Sequence, residues 1–377
     1  MKNKILYIGL FIITVLSLPS CKNDLDVLAP GEESVSVYGI LNPNEPVQNI
    51  RINKVYLTSG DAVSAGQDAN QINYGPGELS VSLQRFNTGS TTPTLTTVGN
   101  ASKKEIVLTE TVVTTAGGNF NQNQRIWQTT DKLFSTGEYK LTIKIVSTGR
   151  EITAQTIVID SVKSYGSMPF VYNATLYPMH CGYVLPSMFT TGTPTIAYVD
   201  YHTLTAAPKI KFKSIANAKL YKVIMRFHYI DSLTDGSGNR KYVDFNFTTQ
   251  KSTTLNGGEE LLVEFKPTVN EFYTNLASEI LKKPVVNIKN RTCHYMEYII
   301  YAGDENLNTF LQVNAPSTTI AQDKPYYTNI NGGVGIFAST SRSTITKELK
   351  DDFIDKIADH PSTQSLLFKK TYTFICP

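Results

Sequence analysis

Apolar residues recur at every second position in short runs through the first half of the chain. "SVSVYGIL" sets Val35, Val37 and Gly39 on one face, and "ELSVSLQRF" sets Leu79, Val81 and Leu83 against Ser80 and Ser82. "GEYKLTIKIVS" is the clearest case, with Tyr139, Leu141, Ile143 and Ile145 on one side and Lys140, Thr142 and Lys144 on the other. Alternation of this kind is the mark of a half-buried strand, whose side chains point to opposite faces in turn. "NIRINKVYL" alternates Ile50 and Ile52 and then slips phase to Val55 and Leu57, which predicts a bulge. "KEIVLTE" and "REITAQTIVID" bring the count to six or seven short strands, separated by Gly, Asn and Ser clusters. That spacing predicts a β-sandwich of immunoglobulin or fibronectin type over residues 31–160.

The second half, residues 161–377, starts in the same way. "KLYKVIMRFHYID" puts Tyr221, Val223, Met225, Phe227 and Tyr229 on one face. "DGSGN", from Asp235 to Asn239, reads as a hairpin turn into "KYVDFNF", with Val243, Phe245 and Phe247 in phase. "KIKFKS", "ELLVEF" and "CHYMEYIIYAG" are further strands. Between them the period lengthens. "TVNEFYTNLASEILKK" spaces Val269, Phe272, Tyr273, Leu276 and Ile280 as one helical face and stops at Pro284. Asp304 is placed to cap a short helix with Leu307, Phe310 and Leu311. "TITKELKDDFIDKIADHP" predicts another helix, with Ile345, Leu349, Phe353 and Ile357 on one side. "GGVGIFAS" reads as a glycine-rich strand and "LLFKKTYTFIC" as a closing one. The expected architecture is mainly β: two β-sandwich domains, the second with two helical insertions.

The N-terminus reads differently. Lys2 and Lys4 precede the apolar run Ile5–Leu16, a basic segment and an apolar segment of signal-peptide length. The run falls short of the roughly 20 residues a membrane-spanning helix needs. Leu18-Pro19-Ser20-Cys21 then resembles a bacterial lipobox, although Pro19 is an unusual middle residue. Residues 1–20 are therefore expected to be a lipoprotein signal and 21–30 a polar tether. Cys21 is the expected lipid attachment site, because its thiol can form a thioether with diacylglycerol and become the new N-terminus. An ordinary secretory signal with Cys21 as a structural cysteine is the alternative. Two or three acyl chains anchor stably where one does not, since each buried methylene contributes about 0.8 kcal/mol. Lys22, Asp24 and Asp26 resemble the short signal that sends Bacteroidota lipoproteins to the outer face of the outer membrane.

Charge adds an exclusion. The chain has 35 basic and 32 acidic residues; without Lys2 and Lys4 the basic count is 33, so the mature chain is close to neutral. Nothing in that balance favours nucleic acid as a partner. Cys181, Cys293 and Cys376 remain beside Cys21. An oxidising compartment permits one disulfide among them, with all three pairings open.

Four stretches together resemble an uncharacterised lipoprotein family of Bacteroidota, the one catalogued as domain of unknown function 4249. They are "VYGILNPNEPVQNIRINKVYL", "LFSTGEYKLTIKIVSTGREITAQTIV", "AKLYKVIMRFHYID" and "PYYTNINGGVGIFAS". The resemblance covers roughly Cys21 to Ser341. It implies an outer-membrane lipoprotein, often encoded beside TonB-dependent transporters, and implies no catalytic or binding residues.

Candidate chemistry is sparse. The chain has no G-x-S-x-G, H-E-x-x-H, P-loop or Rossmann glycine pattern, and no C-x-x-C. Asp304-Glu305-Asn306-Leu307-Asn308 begins like a calcium loop, but Thr309 stands where the loop needs Gly and Ala315 where it needs Glu. Capping by Asp304 is the better account. His180 with Cys181 and Cys293 with His294 offer metal-ligand types, yet strand neighbours point to opposite faces. A disulfide or a plain buried thiol is expected instead. Asp351 and Asp352 are expected on a solvated helix face, and "NGGVGIF" is expected to reflect close strand packing. Tyr165, Phe170, Tyr172, Tyr177 and Tyr183 could stack on sugar rings or fill a domain junction. No metal, cofactor or enzymatic activity is expected. The expected role is binding or assembly on the cell exterior beside an outer-membrane transporter, with a glycan-binding module as the alternative.

Overall fold

The computed structural model describes residues 34–55, 66–98, 103–114, 123–160, 170–171, 198–199, 209–315, 326–349 and 351–370. In the first half the longer strands are β1 (Ser34–Leu41), β2 (Gln48–Val55), β3 (Leu79–Phe86), β4 (Thr109–Thr114), β5 (Asn123–Thr129), β6 (Glu138–Ile145) and β7 (Glu151–Ile157). In the second they are β8 (Lys209–Lys213), β9 (Ala218–Leu233), β10 (Gly238–Asn246), β11 (Glu260–Glu264), β12 (Ile288–Thr292), β13 (Tyr295–Asp304) and β14 (Val334–Leu349). The longer helices are α1 (Val269–Leu281), α2 (Glu305–Val313) and α3 (Asp351–Asp359). The protein is mainly β, built from several sheets and no barrel among the described residues.

The largest sheet runs β10-β9-β13-β14-β1-β2-β5-β4. It contains strands from both sides of residue 160, so the expected boundary there does not separate two sheets. The long strand β14 makes the connection. Its first half pairs in parallel with β1, Ile336 opposite Tyr38, and its second half pairs antiparallel with β13, Ile345 opposite Tyr298. Glycine makes the β1 contact close. A Cβ on Gly335, whose φ is +114°, would run into the Val37 carbonyl oxygen, and one on Gly333 would lie 2.6 Å from that of Val35. The glycine run is thus a strand packed closely on its neighbour, as its sequence predicts.

Two cores lie on this sheet. In the first, Val35, Val37, Ile50, Ile52 and Trp127 from the large sheet meet Leu79, Val81, Leu83, Leu141, Ile143 and Ile152 from a second sheet containing β3, β6 and β7. Tyr139 is wholly buried here. Its hydroxyl accepts from the Phe134 N–H at 3.0 Å and donates to the Thr96 carbonyl at 3.2 Å; burial pushes its pKa up to about 12. In the second core, Tyr221, Val223, Met225 and Phe227 of β9 pack with Phe245 of β10, under α1 and α3. Phe272 of α1 sits 4.9 Å from Phe245 and 5.8 Å from Phe353 of α3. Helix α1 starts with a capping box, Thr268 and Glu271 bonding each other's backbone N–H.

The two cores meet at Asp304, which is 4 % exposed. One carboxylate oxygen accepts from the Thr156 hydroxyl of β7 at 2.6 Å and from the Ser339 N–H of β14 at 2.9 Å. The other accepts from the Leu307 N–H at 2.8 Å and so caps α2. One side chain thereby joins both sheets to a helix, and burial raises its pKa.

Several expectations change. Strand β2 keeps a regular register against β1, without a bulge; Asn53 is buried and Val55 faces outward. Asn53 can turn inward because its amide donates to the Ile72 carbonyl at 2.9 Å. The helix expected across Ile345 and Leu349 is strand up to Leu349 and helix only from Asp351. The β-branched run Thr344-Ile345-Thr346 instead pairs along β13. In α2 the buried position is Asn308, and Leu311 is 48 % exposed. The helix lies on the sheet's outer face, with Phe310 edge-on to Tyr38. The closing strand is, where described, a turn of 3-10 helix at Gln364–Leu366 and a single bridge from Phe368 to Arg291.

Candidate binding face

The apolar face of β9 fills the core, so the alternate residues, Arg226, His228 and Ile230, face outward. Strand pairing arranges them in rows. Asp244, Arg226 and Glu297 form one row across β10, β9 and β13; His228 stands opposite Tyr242 in the next. These side chains interlock. Arg226 holds both oxygens of Asp244 at 2.7 and 2.9 Å, and its guanidinium lies 3.9 Å from the centre of the Tyr242 ring. The Asp244 hydrogen bonds raise its pKa further. His228 stacks on Tyr295 at 4.4 Å and places Nε2 2.9 Å from Glu297. That hydrogen bond lowers the Glu297 pKa, so the carboxylate is ionised near neutrality and His228 Nε2 donates to it.

A break in register lies beside this row. Strand β9 pairs Phe227 with Met296 of β13, and Ile230 with Thr292 of β12. Two residues of β9, His228 and Tyr229, therefore face three, Cys293, His294 and Tyr295. The extra residue is a β-bulge, a device that re-aims a side chain. Cys293 turns into the second core as a buried free thiol, its pKa raised by desolvation. His294 turns toward the outer face and lines a small depression with His228, Ile230, Arg240, Thr292 and Tyr295. It is 6 % exposed, its Nε2 has no hydrogen-bond partner among the described residues, and burial lowers its pKa, so the imidazole is neutral. The cavity is about 20 Å³, room for about one water.

Below the strand, on the core side, Asp231 is fully buried and binds Arg291 Nε at 2.7 Å and Lys241 Nζ at 3.0 Å. Arg291 also donates to the Leu366 carbonyl at 2.8 Å, which ties the C-terminal turn to β12. The floor of the face is thus pinned from beneath.

Of the residues singled out from sequence, Asp304 is the helix cap and Asp351 is exposed at the start of α3. Cys293 and His294, in the gap between β12 and β13, diverge: Cys293 enters the second core and His294 lines the depression. Cys21, Cys181, Cys376, His180 and the tyrosine cluster from Tyr165 to Tyr183 lie outside the described residues, apart from the backbone at Phe170. The face itself was missed. Its signal was present in the polar phase of "KLYKVIMRFHYID", where Arg226 and His228 interrupt an otherwise apolar strand. The bulge had no such signal, because it depends on which partner each residue meets.

No family model matches the chain, and no curated protein does. One solved structure it resembles is the C-terminal globular domain of oligosaccharyltransferase from Pyrococcus abyssi, with a TM-score of 0.22 and 8 % identity. The match covers 86 % of this chain and 51 % of that one, so this chain spans about half the length of its neighbour. A likeness of that degree says nothing about activity.

Proposed function

We propose that this protein is a lipid-anchored lipoprotein of the outer membrane, facing the cell exterior, with a non-enzymatic binding or assembly role beside a TonB-dependent transporter. Its two cores are read as immunoglobulin-like β-sandwich layers joined through β14. The anchor reading is supported by the lipobox-like stretch at Cys21 and by the resemblance of four stretches to the Bacteroidota lipoprotein family. No helix among the described residues is long and apolar enough to cross a membrane.

The observation that carries the binding role is the open outer face of β10, β9 and β13. It is a cross-braced sheet surface with an exposed aromatic edge, Tyr242 at 53 %, and beside it Arg240, whose side chain has no ion-pair partner among the described residues. Exposed aromatic and arginine side chains on a rigid scaffold are the usual anchors of recognition surfaces. Purification from the native membrane with mild detergent tests the reading. It expects a β-barrel partner to co-purify, and to be lost when Tyr242 and Arg240 are replaced together by Ala and Gln. Retrieval of the chain alone, under conditions that keep known barrel complexes intact, would reject it.

A glycan-binding module is the second reading, favoured by the exposed Tyr242 ring, since aromatic rings stack on sugars. A glycan array separates the two: a hit that depends on Tyr242 supports the second reading.

A further inference from the structure

We propose that the depression at the His294 bulge receives a carboxylate carried by a small organic ligand, either an acidic sugar or a free organic acid. The proposal rests on the outer face being a binding surface and names the chemistry it would take.

Four side chains around the depression have donors to give. The Arg240 side chain makes no ion pair or hydrogen bond among the described residues; Asp244, four residues along its strand, is taken by Arg226. Lys241, its neighbour, points the other way, to Asp231. Among the described residues, Arg240 is therefore a charge on the rim with no ion-pair partner. Thr292 stands in its row, since Ile230 pairs with Arg240 on one side and with Thr292 on the other. Tyr295 lies within electrostatic reach of Arg240. His294, at the bulge, holds a buried ring nitrogen that has no partner among the described residues. A buried polar atom left unsatisfied is costly, so its persistence calls for an explanation.

The set matches a planar oxyanion. One oxygen enters the small cavity and accepts from His294 Nε2–H and the Thr292 hydroxyl. The other meets the Arg240 guanidinium at the open side, the forked geometry that arginine offers to carboxylates. A neutral hydroxyl would satisfy His294 but would leave the Arg240 charge without a counterpart. The one negative group at the edge, Glu297, is already held by His228 and lies near Arg226 and Arg342. The cavity is too small for a sugar ring, so the body of the ligand stays outside, along Tyr242.

Galacturonate and galactose differ at a single carbon, carboxylate against hydroxymethyl, and acetate carries the carboxylate without a ring. The test titrates the folded full chain with each and follows the His294 and Arg240 side-chain signals by NMR. Galacturonate should shift both saturably, galactose should not, and Arg240→Gln should weaken galacturonate at least tenfold. Arg240 is exposed on an edge strand, so that variant folds normally. Acetate acting as well as galacturonate assigns the site to free organic acids; a weaker acetate effect assigns it to acidic sugars. Equal shifts from galactose and galacturonate would overturn the proposal while leaving the glycan reading standing. Silence from all three up to tens of millimolar would overturn it as well, and the membrane co-purification would then judge the face independently.

Discussion

Replacing Asp304 by Ala should uncouple the two cores. The substitution removes the cap of α2, worth about 1 kcal/mol. It also strands the Thr156 hydroxyl and the Ser339 N–H, two buried donors at about 1–3 kcal/mol each. Burying the carboxylate has its own cost, visible in the raised pKa, and the variant is relieved of it. The balance is a loss of roughly 3–5 kcal/mol. Asp304→Asn keeps one acceptor and should lose less, about 1–2 kcal/mol. The chain has a single tryptophan, Trp127, in the first core, so its fluorescence reports that core while far-UV circular dichroism reports the whole. Urea unfolding should give coincident transitions in the parent chain and separated ones in Asp304→Ala. The pH dependence has a defined sign. Because the folded pKa lies above 3.8, the folded state holds the proton more tightly, and this group's contribution to stability falls as pH rises from about 3.8 through the folded value. Asp304→Asn should lack that decline. Coincident transitions in the Ala variant with a loss under about 1 kcal/mol would refute the coupling role.

Other outcomes follow from the same contacts. Gly335→Ala should destabilise by at least about 2 kcal/mol in urea, since a left-handed backbone alone costs a non-glycine residue about 1–2 kcal/mol and the Cβ would meet the Val37 carbonyl; a neutral effect would contradict the parallel β1–β14 pairing. Arg291→Ala should cost about 1.5–3 kcal/mol, since Asp231 loses one charged hydrogen bond but keeps Lys241, while Asp231→Leu with Arg291→Met should cost clearly less than the sum of the two single changes, measured by a double-mutant cycle. Glu297 has a lowered pKa, so its small contribution is present above about pH 4.5 and lost as pH falls through its folded value; Glu297→Gln should flatten that part of the stability profile by under about 1 kcal/mol. Cys293 should resist thiol reagents in the folded state and react once unfolded, because desolvation holds it protonated; a chain with no reactive thiol at Cys293 after unfolding without reductant would place it in a disulfide.

Much of the strand content was legible because it rests on local alternation. Tyr139, Leu141, Ile143 and Ile145, and Tyr221 through Tyr229, lie on the faces their spacing predicts. Strand β5 was not legible: "NQRIWQT" buries Trp127 but has no apolar alternation to announce it. The parallel contact of β14 with β1 joins residues about three hundred positions apart, and no turn signal encodes it. It is also why the division at residue 160 does not divide the sheets. The helix around Ile345 failed for a related reason. Its 3.6-residue period was real only from Asp351 onward, and the preceding β-branched residues found a partner strand. The candidate face was half legible: the polar phase of β9 was in the sequence, whereas the unpaired His294 arises from a one-residue mismatch between β9 and the strands beside it.

The central claim concerns how the chain is held and where. Mass spectrometry of the N-terminal peptide of the protein extracted from its native membrane addresses it most directly. The account predicts a chain beginning at Cys21, its sulfur carrying diacylglycerol and its amino group acylated. A water-soluble chain that retains Ile5–Leu16, with an unmodified Cys21 thiol, would contradict it.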